Sequence, residues 1–295
     1  MTRAHAPAVP PVPFAKGHGT GNDFVILPDP DGALPLTPAA VAALCDRRFG
    51  IGGDGLLRVV RSAAHPDAAG HAAAAPWFMD YWNADGSHGE TCGNGVRTFV
   101  RYLLDSGLAG WPADGPLPVA TRAGVVAVRA DGPDIAVDMG RPRHLGPAVA
   151  TVPGHTLAGT VVDVGNPHLV CPLPPEVPLA DLDLRPLPGY DPAVFPRGAN
   201  VEFLAPAAPV PGADVAVRMR VYERGVGETL SCGSGACAVA SVALAGAGRT
   251  DGVVAVDLPG GRLTMTLADG SCWMSGPAVI VATGTVPLPA APLPA

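Results

Sequence analysis

Two segments of this chain show the apolar spacing of an α-helix, and each directly follows a glycine-rich turn that begins with cysteine. In the first segment, Val96–Leu104, apolar residues recur at i, i+3, i+4, i+7 and i+8, and Gly107 predicts the end of the helix. The second segment, Ala236–Gly246, repeats this spacing more weakly and with smaller residues. A third helix is predicted over Pro38–Cys45, with Thr37 as its N-cap. The pattern therefore predicts one central helix in each half of the chain.

Short runs of β-branched residues, bounded by glycine, proline or aspartate, predict strands in both halves. The runs are Val125–Val128, Ile135–Met139, Val161–Val164, Val215–Tyr222, Leu263–Leu267 and Val279–Ala282. Many strands with one apolar helix per half predict an α+β fold, in which each half wraps a sheet around its helix. We place the N-terminal domain at residues 1–138 plus 278–295 and the C-terminal domain at residues 139–277. The proline-rich stretch Pro172–Pro196 predicts an irregular surface segment.

Composition and charge narrow the range of partners. The chain has 295 residues, of which 48% are apolar, and this predicts one or two globular domains rather than disorder. A net charge of −7 without a basic stripe argues against a nucleic-acid partner. The uncharged run Thr229–Gly248 is rich in alanine and glycine, so it predicts a buried helix and not a membrane span.

Both ends of the chain are predicted to fray. Met1–Pro13 contains several prolines and lacks the apolar stretch of a signal peptide, and Pro287–Ala295 contains only proline, alanine and leucine. We therefore expect a cytoplasmic protein that is not associated with a membrane.

The cysteines are expected to be reduced, because the chain is long and carries no signal peptide. There are six of them. Four lie among apolar neighbours and are expected to be small core residues, namely Cys45, Cys171, Cys237 and Cys272. No CxxC pair occurs and no further cysteine or histidine pair completes a tetrahedral set, so we expect no metal site.

The segment Gly50–Gly55 fits the G-x-G-x-x-G pattern of dinucleotide-binding proteins. That fingerprint requires a strand before it and a helix after it. Here the predicted helix comes first, and the strand-like run Leu56–Val60 follows. A dinucleotide-dependent oxidoreductase is therefore disfavoured.

The two remaining cysteines open the same four-residue motif, nearly half of the chain apart. Cys92-Gly93-Asn94-Gly95 and Cys232-Gly233-Ser234-Gly235 each precede a predicted helix. A helix N-terminus favours a thiolate and lowers the pKa of a cysteine, and its backbone N–H groups bind anions. We therefore expect the amides of the two residues after each cysteine to bind a substrate carboxylate.

Two thiols on opposite sides of one cleft suit the inversion of a carbon centre. One thiolate would remove a proton from one face of the carbon, and the other thiol would return a proton to the opposite face. Neutralising the neighbouring carboxylate would make the Cα–H more acidic. The duplicated motif thus predicts a two-thiol active site between two domains.

Four further polar segments have ordinary explanations when each is taken alone. Gly21–Phe24, Asn83–Gly86 and Gly165–His168 are rich in residues that form turns, and a histidine after Asn-Pro is most often a turn residue. The adjacent residues Glu223 and Arg224 would form an ordinary surface pair of little energetic weight.

Taken together, these motifs resemble the successive signatures of the diaminopimelate epimerase family, in the family's order and over almost the whole chain. They are Lys16–Phe24, Asn83–Ser87, Cys92–Arg97, Gly165–His168, Asn200–Phe203, Arg220–Gly225, Gly227–Thr229 and Cys232–Ala238. The resemblance implies two pseudo-symmetric domains, each a barrel-like sheet around a central α-helix, with the active site in the cleft between them. It implies a cofactor-independent epimerisation of LL-2,6-diaminoheptanedioate to the meso form, in lysine and peptidoglycan-precursor biosynthesis. Diaminopimelate would be the small-molecule partner, and the family often forms homodimers.

The resemblance also assigns roles to individual residues. Cys92 and Cys232 would be the two acid/base residues, while His168 and Glu223 would tune or orient the thiols. Substrate would be bound by Asn22, Asn83, Asn166, Asn200, Glu223 and Arg224, and by the amides of Gly93, Asn94, Gly233 and Ser234. Arg224 suits a bidentate clamp on the carboxylate at the non-reacting end of the substrate.

Two positions depart from the family pattern. Gly55 stands where some members have glutamine, so that substrate contact would be absent or made by backbone, and Thr98 stands where others have a third cysteine. The main alternative is a related two-cysteine racemase of the same fold that acts on another amino acid, such as a proline or histidine derivative. Such an enzyme would keep both thiols but lose the clamp that includes Asn83, Asn200 and Arg224.

Overall fold

The computed structural model describes residues 11–288, and three α-helices lie where the sequence predicts them. They are α1 (Pro38–Cys45), α2 (Gly93–Asp105) and α3 (Gly233–Gly246). The hydroxyl of Thr37 accepts the Ala40 N–H at 3.2 Å and so caps α1. Gly107 follows α2 with a φ of 69°, in the left-handed region that favours glycine. Within the described residues, no helix combines the length and apolar character needed to cross a bilayer.

Strands make up most of the described chain. They are β1 (Val12–Gly19), β2 (Asn22–Pro28), β3 (Gly55–Arg61), β4 (Trp77–Asn83), β5 (Leu117–Thr121), β6 (Gly124–Asp131), β7 (Asp134–Asp138), β8 (Arg143–Val152), β9 (His155–Asp163), β10 (Pro167–Pro172), β11 (Asn200–Pro206), β12 (Val215–Glu223), β13 (Gly227–Thr229), β14 (Gly252–Leu258), β15 (Gly261–Ala268), β16 (Ser271–Gly276) and β17 (Val279–Val286). Every run predicted as a strand overlaps one of them, and the α+β class is confirmed. The Gly50–Gly55 segment connects α1 to β3, the context that argues against a dinucleotide fingerprint.

The first compact unit contains the described residues up to Gly19, Asp23–Ala127 and the described residues from Ala278. Its strand order is β17-β1-β2-β3-β4-β5, in which β2–β3 and β4–β5 are parallel pairs. Parallel neighbours need a crossover connection, and α1 and α2 supply these two crossovers. Helix α2 packs against β1, β3, β4 and β17, and its apolar residues Val96 and Phe99 have no solvent exposure.

The second compact unit contains Thr20–Asn22 and Val128–Pro277. Its strands are neighbours in the order β8-β9-β10-β11-β12-β14-β15-β16-β7, and β13 pairs with β12. Helix α3 contacts β9, β10, β11, β12, β14, β15 and β16, so this sheet wraps around it. Most of the 14 residues of α3 are buried, as the uncharged run Thr229–Gly248 predicts.

The compact units divide the chain after Ala127 and after Pro277. The first division falls before the limit that we placed after residue 138, because β7 pairs with β16 and the end of β6 pairs with β7. The second division is at 277/278 in both descriptions. The domain limits 1–138 plus 278–295 and 139–277 stay a prediction from sequence.

The segment Pro172–Pro196 is irregular and most of its residues are exposed, as predicted, but it also contributes to a core cluster. Apart from the end of β10 it contains only a short 3₁₀ turn, Leu179–Asp181. Several of its apolar side chains are nevertheless buried in a core cluster with residues of β9, β10 and β11, namely Leu173, Val177, Leu179, Leu182, Leu184 and Phe195. The sequence does not indicate these buried side chains, because the prolines interrupt the regular apolar spacing by which buried helices and strands are recognised.

Both ends are predicted to fray. This prediction is wrong for Val12 and Leu288, which belong to a core cluster. Val12 begins β1, pairs with Val286 and is buried, and Leu288 is buried against the same cluster. The rest of the two tails, residues 1–10 and 289–295, lies outside the described residues.

The four cysteines predicted as core residues are buried, and no disulfide joins any of the six cysteines. Burial raises the pKa of the Cys45 and Cys171 thiols from 9.0 to about 12. These side chains act as small apolar residues at neutral pH.

The buried thiols predict a loss of stability in alkaline solution. An unfolded cysteine ionises near pH 9.0, whereas native Cys171 keeps its proton to about pH 12. Between these values only the unfolded state releases the proton, so the free energy of unfolding falls by about 1.4 kcal/mol per pH unit for this thiol. Chemical denaturation at increasing alkaline pH should show the fall, and Cys171→Ala should make it shallower by about that amount. Equal slopes for the wild type and the variant would contradict this prediction.

Candidate active site

The strand register of the second unit brings several predicted site residues to one edge of its sheet. The parallel pair β10–β11 places His168 opposite Asn200, at the beginning of both strands. The antiparallel pair β11–β12 brings the end of β12, where Glu223 and Arg224 lie, beside the beginning of β11. The hairpin β12–β13 then leads directly to Cys232 at the start of α3.

Cys232 is the N-cap residue of α3 and is only 6% exposed. Its sulfur lies 3.6 Å from Oγ of Ser234, and its thiol forms a hydrogen bond with the Glu223 carboxyl group. The sequence predicts a lowered pKa for this thiol, and that prediction is wrong. Burial raises the pKa of Cys232 well above 9.0, Glu223 and Glu202 raise it further, and the Gly235 N–H and the Ser234 hydroxyl offset this only in part. Cys232 is therefore a neutral thiol at neutral pH.

Glu223 contacts the thiol from the end of β12. Burial raises the pKa of its carboxyl group above 4.5, while hydrogen bonds from Thr229 and Cys232 act in the opposite direction. The Thr229 hydroxyl donates to Oε1 of Glu223, which fixes the carboxyl group beside the sulfur. This contact supports the predicted role of Glu223 in orienting Cys232.

His168 lies in β10 without solvent exposure, so it is not a turn residue. Its Nε2 lies 2.9 Å from Oδ1 of Asn166, and its Nδ1 lies 2.7 Å from Oε1 of Glu202. The Asn166 amide nitrogen in turn donates to Oγ of Ser234 at 3.4 Å. Both ring nitrogens are thus engaged, and His168 connects to Cys232 through Asn166 and Ser234.

Glu202 is a site residue that the sequence reasoning did not single out. It is a charged residue within the apolar run Val201–Leu204, and that contrast is the signal by which it could have been found. The structure places it in β11 with no solvent exposure. A glutamate in such a position is almost never buried unless it is paired.

Asn200 and Arg224 form a second pair at the same sheet edge. Oδ1 of Asn200 accepts the Arg224 backbone N–H at 2.9 Å, and a guanidinium nitrogen of Arg224 donates to the Arg197 carbonyl at 3.0 Å. A Cβ at Gly198 would lie 3.0 Å from Cδ of Arg224, so the arginine stem passes over that glycine. The arrangement holds the stem in place while the residue remains exposed.

The other motif cysteine begins α2 in the first unit. Cys92 is the N-cap residue, is partly exposed, and its sulfur accepts the Gly95 N–H at 3.4 Å. An amide that donates to sulfur at a helix N-terminus is the arrangement that stabilises a thiolate.

The side chain of Asn94 is engaged within α2. Its Oδ1 accepts from a guanidinium nitrogen of Arg97 at 2.5 Å, and both residues are buried. The hydroxyl of Thr98 donates to the Asn94 carbonyl at 2.9 Å and is buried as well. The Asn94 side chain is thus engaged within α2, and the ligand contact expected from the sequence concerns its backbone N–H.

The Trp82 carbonyl oxygen and the Tyr81 ring fill the space beside Gly55. A Cβ at Gly55 would lie 2.6 Å from the Trp82 carbonyl oxygen and 2.9 Å from Cε2 of Tyr81. The Tyr81 hydroxyl donates to Oδ1 of Asn83 at 2.9 Å, and the Asn83 amide donates to Oγ of Ser87 at 2.9 Å. A side chain at position 55 would therefore clash with the Trp82 backbone and with the ring whose hydroxyl contacts Asn83.

The structure divides the predicted site residues between the two compact units. The second unit brings together Asn166, His168, Asn200, Glu223, Arg224, Cys232, Gly233 and Ser234. In the first unit, Cys92, Gly93 and Asn94 are consecutive at the start of α2, and Asn83 ends β4. Asn22, the first residue of β2, also belongs to the second unit and is half-buried.

Known proteins match nearly the whole chain. A family model described as diaminopimelate epimerase matches residues 14–145 and 160–286. The diaminopimelate epimerase of Streptomyces coelicolor is 52% identical over 288 residues, which cover 92% of this chain and 94% of the relative. The diaminopimelate epimerase of Thermobifida fusca is 51% identical over 283 residues, which cover 94% of this chain and 98% of the relative.

A solved structure supports the fold. A hydroxyproline epimerase from Agrobacterium vitis with bound trans-4-hydroxy-L-proline is similar with a TM-score of 0.63 and 16% sequence identity, covering 94% of this chain and 93% of that chain. At this low identity the likeness shows the fold alone. The family match and the two relatives extend over almost all of the sequence, and they show that this chain belongs to the diaminopimelate epimerase family.

Proposed function

We propose that this chain epimerises LL-2,6-diaminoheptanedioate to the meso form without a cofactor, using Cys92 and Cys232 as its two acid/base residues. The observation that carries the proposal is the cysteine at the N-cap of the central helix in each compact unit. Membership of the family and relatives named diaminopimelate epimerase at about half identity support the choice of substrate.

In the proposed reaction, the two thiols act on the same α-carbon from opposite faces. A thiolate removes the Cα proton, the C–H electron pair remains on the substrate, and the opposite thiol then donates its proton to that carbon. Cys232 holds its proton at neutral pH because it is buried beside Glu223, so it suits the donor role in the resting enzyme. Cys92, whose sulfur accepts an amide N–H, then suits the role of base.

The α-carboxylate of the substrate would be held by the first amides of the two helices. The first N–H groups of an α-helix have no acceptor within the helix, and they favour an anion. These amides belong to Gly93, Asn94, Gly233 and Ser234. Hydrogen bonds to the carboxylate stabilise the charge that develops as the Cα proton leaves.

The remaining polar residues would fix the rest of the substrate. We assign binding of its amino and carboxylate groups to Asn22, Asn83, Asn166, Asn200, Glu223 and Arg224. Arg224 would hold the distal carboxylate, because a guanidinium group binds a carboxylate through two parallel hydrogen bonds. His168 would orient the Cys232 half of the site through Asn166.

We also propose a cytoplasmic location and a homodimer, in keeping with the lysine and peptidoglycan-precursor biosynthesis in which the reaction belongs. The proposed location and the proposed homodimer both rest on membership of the family. Analytical ultracentrifugation of the purified protein would decide the oligomeric state.

A cofactor-free assay in D₂O tests the proposed function. Purified protein with LL-diaminopimelate and a chelator should produce the meso isomer, with deuterium at the inverted α-carbon. Proline and trans-4-hydroxyproline serve as comparison substrates, because the alternative is a same-fold racemase for another amino acid. Turnover of either comparison substrate with none of diaminopimelate would establish that alternative instead.

A further inference from the structure

The turn between β1 and β2 has a backbone conformation that its first residue does not favour. Thr20 and Gly21 form this turn, with φ angles of 51° and 82°. Two consecutive positive φ angles are typical of the type I′ turn, which favours asparagine, aspartate or glycine. For a β-branched residue such as threonine, a φ in the left-handed region is unfavourable and rare. A benefit other than turn formation is therefore needed to explain threonine at this position.

The Thr20 side chain makes a buried hydrogen bond to a residue far along the chain. Its Oγ1 lies 2.8 Å from Oγ of Ser231, and the two residues are only 1% and 3% exposed. Both belong to the second compact unit, which contains Thr20–Asn22 as well as Val128–Pro277. The threonine hydroxyl thus supplies a contact that glycine, although better suited to the turn, could not make.

Gly260, which lies between β14 and β15, packs against both segments that this bond joins. A Cβ added at Gly260 would lie 1.9 Å from the Thr20 carbonyl oxygen, and the Gly260 N–H donates to the Leu230 carbonyl at 2.9 Å. Leu230 also lies against the turn, since a Cβ added at Gly21 would be 3.2 Å from its Cδ1. An unfavourable backbone conformation persists only where the surrounding structure holds it, and such places cluster at functional sites.

The two partners of the hydrogen bond adjoin residues of the proposed site. Ser231 directly precedes Cys232, the N-cap residue of α3, and Asn22 follows Thr20 by two positions. Cys232 has extended backbone angles, φ −123° and ψ 114°, so the segment before it helps to set the direction of its side chain. The bond therefore joins the residue next to the thiol with the turn that leads into a residue expected to bind substrate.

We propose that Thr20 is a positioning residue, whose hydroxyl bonds Ser231 and thereby fixes the Cys232 thiol relative to the Asn22 amide. A substrate held by Asn22 would then present its α-carbon at the distance from the sulfur that proton transfer needs. A misplacement of about 1 Å can lower the rate of the chemical step by about 10²-fold. This inference rests on the proposed function, because Asn22 and Cys232 take their roles from it.

Thr20→Val tests the proposal, because valine keeps the β-branched shape of threonine but has no hydroxyl. With diaminopimelate as substrate it should lower kcat by about 5- to 100-fold, the scale on which the loss of one partner of a buried hydrogen bond acts, and should change KM little. Thr20→Ser keeps a hydroxyl and should restore most of kcat. Ser231→Ala removes the same bond from the other side and should give a similar loss, so it replaces Thr20→Val if that variant does not fold.

Thr121→Val is the matched control. Thr121 is also 1% exposed, and its Oγ1 donates to the Gly124 carbonyl at 2.8 Å, a bond in which no residue of the proposed site takes part. This variant should have a lower free energy of unfolding and a kcat near the wild-type value. If Thr20→Val and Ser231→Ala gave the same result as the control, Thr20 would be a purely structural residue and the proposal would be overturned.

A double-mutant cycle shows whether Thr20 acts through Ser231. Combining Thr20→Val with Ser231→Ala should lower kcat about as much as the larger of the two single changes, because both delete the same bond. If the two losses multiplied instead, the two residues would act independently and the proposal would be wrong.

These experiments separate the positioning role from the proposed function. Wild-type protein that does not epimerise diaminopimelate would refute the proposed function. Wild-type activity with an unchanged kcat in Thr20→Val and Ser231→Ala would refute the positioning role and leave the function intact. The same cycle measured on the free energy of unfolding needs no substrate, and additive losses there would also overturn the positioning role.

Discussion

Replacing either Cys92 or Cys232 with alanine should lower kcat for diaminopimelate by about 10²- to 10⁴-fold while the protein stays folded. In the proposed mechanism each thiol serves one face of the α-carbon, so neither can substitute for the other. The loss should fall on kcat more than on KM, because the backbone amides that hold the carboxylate remain. Steady-state kinetics in both directions, with circular dichroism for the fold, would measure it.

Cys45→Ala is the matched control for these variants. Cys45 ends α1, is buried in a core cluster, and takes no part in the proposed site. Its replacement should lower stability and leave kcat near the wild-type value. Near-normal epimerisation by Cys92→Ala or Cys232→Ala would refute the two-base mechanism.

The sequence predicts the parts of this protein that depend on local chemistry. Helical spacing and a flanking Cys-Gly turn locate α2 and α3, and the structure confirms both, with Cys92 and Cys232 as their N-cap residues. The uncharged, alanine-rich character of the second helix also predicts its burial correctly. Each of these features is determined by residues within one helix and its first turn.

Features that depend on strand register could not be predicted in the same way. Glu202 meets His168 only because β10 and β11 are parallel neighbours, although 34 positions separate the two residues in the chain. The prediction of a lowered pKa for the Cys232 thiol is wrong for a related reason. A helix N-terminus is visible in the sequence, whereas the burial and the two carboxyl groups that outweigh it come from packing.

In the proposed function, one exposed arginine, Arg224, binds the distal carboxylate of the substrate. The stem of Arg224 passes over Gly198, and its backbone N–H is held by Asn200, so the guanidinium group is already positioned when a ligand arrives. A carboxylate bound there would form a bidentate ion pair. Removing one partner of such a hydrogen-bonded charge pair costs about 2–5 kcal/mol.

Arg224→Met should therefore lower kcat/KM for diaminopimelate by roughly 30- to several-thousand-fold. The thiols remain in place, so an amino acid that lacks a distal carboxylate, such as lysine, should lose little of whatever slow turnover it shows. Arg185→Met, at a side chain that is 89% exposed and pairs with Asp183, is the matched control and should change neither substrate. If both substrates lost activity equally in Arg224→Met, Arg224 would serve the fold or the proton transfer, because a clamp on the distal carboxylate can act only on a substrate that has one.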